Sequence, residues 1–128
     1  MADNLSNTAE NLIMDWINGV GTPTRPTTPL QVALVTVAGS DSTAGTEVDG
    51  GSYARQDLSI AAAVGGAASN SADLEWTAMP AVTLVGWEIW DSAGSAVRLW
   101  WGPLSEPKAL DAGDDFKISA GDLTWSIS

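Results

Sequence analysis

Apolar residues change their spacing once along this chain, and the change separates a helical beginning from a β-rich remainder. Leu5, Ala9, Leu12, Ile13, Trp16 and Ile17 recur at helical intervals and make one stripe. Asn4 or Asn7 can cap its start, with Glu10 three residues after Asn7 as the reciprocal partner. Gly19 and Gly21 stop it. A helix of about fifteen residues is marginal alone in water, so its stripe must dock on its own domain or on a neighbour. Pro23, Pro26 and Pro29 then rule out further helix and favour an extended, stiff connector. A polyproline ligand motif is the sharper alternative, disfavoured by the interleaved threonines.

From Leu30 the period becomes two. Leu30–Val37 reads as a strand, and residues 38–52 as a loop of small and turn-forming residues. Residues 53–62 alternate, with Ala54, Leu58 and Ile60 on one face and Tyr53, Arg55 and Asp57 on the other. Residues 64–72 read as a loop. Leu74, Trp76 and Ala78 alternate with polar neighbours, giving a strand with one wet face. Val82–Trp90 and residues 96–101 flank a small-residue turn at 91–95, the pattern of a hairpin. Phe116–Ile118 and residues 123–127 close the chain around a turn at 119–122, with Leu123, Trp125 and Ile127 directed inward. Six or seven short strands after one helix predict a mainly β fold, an antiparallel β-sandwich of Greek-key or jelly-roll type. The expected organisation is a helix arm over 1–21, a Pro/Thr connector over 22–29 and the β-sandwich over 30–128.

Charge narrows the partners. Sixteen acidic residues stand against five basic ones, a net charge of −11. Arg25, Arg55, Arg98, Lys108 and Lys117 are scattered singly, so neither nucleic acid nor an anionic membrane surface is an expected partner. The opening residues lack a signal-peptide pattern, and the expectation is synthesis in a cytoplasm.

Chemistry is sparse. With no cysteine and no histidine, the chain has no thiolate, no imidazole base and no Ser-His-Asp or Cys-His layout. Phosphate-loop and dinucleotide patterns are missing too. Glu75, Glu88 and Asp91 lie beside Trp76, Trp87 and Trp90, the residue types of a sugar site, but on these strands the acids are expected to face solvent. Asp111, Asp114 and Asp115, like Asp41, Glu47 and Asp49, are acidic turns whose spacing fits no calcium loop. No catalytic residue, metal ligand or cofactor is expected.

Seven tryptophans are too many for a small core alone. Adjacent strand residues face opposite ways, so Trp100 and Trp101 cannot enter the same core, and Trp87 and Trp90 pose a similar problem. Either both sheet faces are covered, or an indole serves an interface, where tryptophan is enriched. The candidate interface comprises Leu5, Leu12, Ile13, Trp16 and Ile17 on the helix with Trp87, Trp90, Trp100 and Trp101 on the sheet.

Several segments, in order, resemble a family of small bacteriophage virion structural proteins, of tail-fibre-like or capsid-decoration type. They are Leu5-Ser6-Asn7-Thr8-Ala9-Glu10-Asn11, Gly45-Thr46-Glu47-Val48 leading into Tyr53-Ala54-Arg55-Gln56, and Gly86-Trp87-Glu88-Ile89-Trp90-Asp91. The closing pair is Leu110-Asp111-Ala112-Gly113-Asp114-Asp115-Phe116 with Ser119-Ala120-Gly121-Asp122-Leu123. The chain departs in its tryptophans and in Ser95, where a turn glycine is expected. The resemblance implies a non-enzymatic protein, made in a bacterial host, that packs against copies of itself and against a major capsid or tail protein; a trimer is the stoichiometry expected. An exterior capsid decoration is the first expectation. A tail or tail-fibre component and a glycan-binding adhesion module are the alternatives.

Overall fold

The computed structural model describes residues 4–127. Residues 1–3, assigned to the helix arm from sequence, and Ser128, the end of the expected β-domain, lie outside the described residues.

The helix, α1, spans Asn7–Asn18. Its cap is Ser6, not Asn4 or Asn7: the Ser6 hydroxyl accepts from the Ala9 N–H at 3.1 Å and donates to the Arg98 carbonyl at 2.7 Å. Leu5 is not helical. It bridges Trp100 in extended form, with Ser6 N–H bonded to Leu99 O and Trp101 N–H to Asn4 O. This tether to a distant strand places the cap, and it shifts Glu10 out of the reciprocal position. Gly19 ends the helix in the left-handed conformation (φ 72°), as its lack of a Cβ permits.

The rest of the described residues form antiparallel β-structure with nine strands. They are β1 (Leu30–Val37), β2 (Thr46–Glu47), β3 (Gln56–Leu58), β4 (Ala67–Ser69), β5 (Leu74–Trp76), β6 (Val82–Trp90), β7 (Arg98–Leu110), β8 (Phe116–Ile118) and β9 (Thr124–Ser126). The main sheet runs β2-β1-β6-β7, and β3 pairs with β1 on the same edge as β2. β4-β9 and β5-β8 form two small ribbons. The hairpin at 91–95 joins β6 to β7, with Trp90 opposite Arg98.

Five expectations change. Residues 38–52 contain β2, and residues 64–72 contain β4, whose partner β9 lies far along the chain. The strand expected over 96–101 continues to Leu110, where Leu110, Ala109 and Lys108 pair with Val82, Thr83 and Leu84. Pro103 and Pro107 hid that continuation, since proline is tolerated at sheet edges and irregularities. Of residues 53–62, only β3 forms a strand, and Ile127 is 45% exposed rather than inward.

One core joins the main sheet to the ribbons. Val32 and Leu34 of β1 stand opposite Ile89 and Trp87 of β6, and meet Leu58, Leu74, Trp76, Met79, Ile118, Leu123 and Trp125. Gly102 faces Trp87 across the β6–β7 pair, and a Cβ there would lie 2.4 Å from the indole. The glycine therefore makes the slot that the ring fills.

Candidate assembly surface

α1 touches the body mainly through its first turns. Leu5, Ala9 and Leu99 are buried together, with Ile13, Leu30, Val97 and Trp100 packed around them. Further along, the same stripe outruns its support. Trp16 is 71% exposed and Ile17 67%; Met14, on the far side of the helix, and Val20, past the Gly19 cap, are exposed as well. Between this overhang and the connector lies a groove of about 670 Å³, lined by Leu12, Ile13, Trp16, Pro23, Pro26 and Trp100 among others.

The connector is held, not loose. Thr27 N–H donates to Asp91 Oδ2 at 3.2 Å, and Ser92 N–H donates to Thr27 O at 3.1 Å, pinning it to the β6–β7 turn. Burial pushes the Asp91 carboxyl up, but N–H groups of Val97, Thr27 and Ala93 outweigh it and hold it below the usual carboxylate range.

The candidate interface residues therefore separate into three places. Leu12, Ile13, Trp16 and Trp100 meet around the groove, with Ile17 beside them. Leu5 and Trp87 are buried within the chain's own packing. Trp90 and Trp101 stand on the opposite face of the main sheet, at the register positions of Gln31 and Glu88. Sequence reasoning left out Val20, Pro23, Pro26 and Leu30. Val20 lies past the Gly19 cap, outside the helical stripe, and the proline wall likewise required the tertiary fold.

That opposite face is closed by a polar lattice. Glu88, 1% exposed, pairs with Arg98 at 3.4 Å, accepts from Gly45 N–H at 2.7 Å and accepts from Trp90 Nε1 at 3.2 Å. Arg98 also donates to the Ser40 carbonyl, and Trp101 Nε1 donates to Asp41 at 3.0 Å. The Arg55 guanidinium sits 4.3 Å from the Trp90 ring centre and grips Glu47 through two nitrogens, at 3.0 and 2.9 Å. Burial raises the Glu47 carboxyl, but hydrogen bonds from Arg55 and Tyr53 more than offset this and lower it. Burial first, then donation to Glu47, raises the Tyr53 hydroxyl.

The expectation that Glu88 and Asp91 face solvent is thus corrected: both are buried because they satisfy backbone and side-chain donors between strands. Trp76 is 1% exposed and offers no ring face to a sugar. Asp114 and Asp115 accept from the backbone N–H groups of Asp111 and Ala78. Among the described residues no group of three or more Asp or Glu is placed to hold a metal ion. No helix among them is long and apolar enough to cross a membrane.

A sequence model of the family described as Podophage GP4 fiber I protein gp80 matches residues 4–126. No curated protein sequence matches the chain.

Proposed function

The chain belongs to the family described as Podophage GP4 fiber I protein gp80, a family of phage virion components, and from that membership we propose that it is a non-catalytic structural subunit of a virion fibre. The family match carries this reading, because it spans nearly the whole chain and the family is described by a fibre. It favours the tail-fibre alternative over an exterior capsid decoration.

The side-chain chemistry supports a packing role. The carboxylates best placed beside tryptophan, Glu88 and Asp91, are spent on internal hydrogen bonds, while Trp16 and Ile17 on the helix stay exposed among the described residues. The acidic exterior, net −11, keeps crowded copies soluble. The helix arm, rather than the tryptophan-bearing sheet face, is the anchoring element in this proposal.

Cryo-electron microscopy of purified particles tests it, with this chain fitted into the map. Density in a fibre is the expected result. Density on the capsid lattice would return the decoration role, and absence from the particle would overturn the virion assignment for this chain.

A further inference from the structure

We propose that the α1–connector face seats a second copy of this chain, an inference that rests on the fibre-subunit reading only for where the contact occurs in the particle. Three observations favour a copy of the same chain over a different partner.

The first is charge. Chains of net −11 repel one another, so contact between copies is least opposed where that charge is missing. From Asn11 to Pro26 the sequence carries one acid, Asp15, and one base, Arg25, leaving this patch formally neutral.

Shape is the second. The exposed knob, Trp16 with Ile17, borders a groove bounded by Leu12, Ile13, Pro23 and Trp100. A two-fold contact needs knob and hole on one surface, because the same patch serves both copies.

Third comes area. At their observed exposures, Trp16, Ile17 and Val20 offer roughly 250–300 Å² of apolar surface, taking ordinary side-chain areas, while Met14 lies on the far side of the helix and is left out. A standard interface buries about 800 Å² per partner, of which about 56–65% is apolar, so these three side chains supply about half to two-thirds of the apolar share of one such interface before the groove walls are added.

Sedimentation equilibrium of the full chain tests the inference, with Trp16→Glu, Ile17→Glu and, outside the patch, Val64→Glu. All three positions are exposed in the isolated chain, and near-ultraviolet circular dichroism with thermal melting checks that each variant folds. The wild type and Val64→Glu should self-associate alike, and Trp16→Glu should weaken association about 30-fold or more, as for a central aromatic anchor. Because the chain has no cysteine, Ile17→Cys gives a clean second probe: a short bis-maleimide should join two copies through it, but not through Val64→Cys.

A wild type that stays monomeric throughout, or glutamate variants that associate as the wild type does, would overturn the proposal. Failure of the fibre reading looks different: the chain would be missing from particles while the purified protein still paired through Ile17→Cys. Conversely, Trp16→Glu protein that enters fibres at normal occupancy and never cross-links would leave the fibre reading standing and sink the self-contact.

Discussion

Asn70 is the side chain whose replacement by its nearest isostere should be most damaging. It is 2% exposed and makes four side-chain hydrogen bonds. Nδ2 donates to Ala72 O at 2.9 Å and Ser119 O at 3.0 Å, while Oδ1 accepts from Gly121 N at 3.1 Å and Leu123 N at 3.0 Å. These bonds tie the end of β4 to the turn between β8 and β9. Asn70→Asp keeps the shape but replaces the donor with an oxygen that faces two carbonyl oxygens. Two bonds worth about 1 kcal/mol each are lost, and setting a buried carboxylate oxygen against two carbonyl oxygens adds about 1–3 kcal/mol. A loss of about 3–5 kcal/mol at neutral pH follows, a large fraction of the stability usual for a domain.

The pH dependence has a definite sign. In the folded state one oxygen of the introduced carboxyl keeps the Gly121 and Leu123 N–H donors, but burial and the two facing carbonyl oxygens outweigh them, so its pKa lies above the unfolded value of about 3.9. The protonated acid can donate to one carbonyl. The penalty relative to wild type is therefore smallest below about pH 4, and it grows as pH rises until the folded-state pKa is passed. Asn70→Ala loses all four bonds without introducing a charge, and its penalty should vary little with pH. Urea unfolding followed by tryptophan fluorescence at several pH values measures both, with Trp125 on neighbouring β9 as a local reporter. An Asn70→Asp protein within about 1 kcal/mol of wild type at pH 7, or one whose deficit is flat with pH, would refute the assigned donor geometry.

The buried ion pair makes a second case. Glu88→Ala or Arg98→Ala should each cost about 3–5 kcal/mol in chemical denaturation, and a paired apolar replacement should cost clearly less than their sum. Gly102→Ala should destabilise by about 1–3 kcal/mol and alter the near-ultraviolet dichroism, because the new methyl drives Trp87 from its slot. Asp91 and Glu47 both have lowered folded-state pKa values, so their contribution is present above the unfolded value of about 4 and is lost as pH falls through the folded one. Asp91→Asn should flatten the acid limb of stability measured between about pH 2 and pH 6.

The recurrence of Leu5, Ala9, Leu12, Ile13, Trp16 and Ile17, the period-two runs and the turn at 91–95 determined a mainly β chain with one leading helix. These signals are local, since a helix stripe or a hairpin is written within about twenty residues. Order-preserving resemblance along the chain likewise pointed to phage virion structural proteins. Elements whose partners lie far off escaped such reading. β4 pairs with β9, and Ser6 takes the cap because Leu99 and Arg98, more than ninety residues later, hold it there. The split between Trp87 in the core and Trp90 in the polar lattice also needed the fold: alternation says that they face apart, while pairing and cover decide which side is which. Glu88 looked like a solvent-facing acid because a strand pattern carries no record of Gly45 and Arg98 closing over it. The groove belongs wholly to tertiary structure, built from a helix, a proline connector and a strand that meet only after folding. Whether an apolar stripe is consumed by its own core or left for a partner depends on where the supporting surface ends, and here it ends one turn before Trp16.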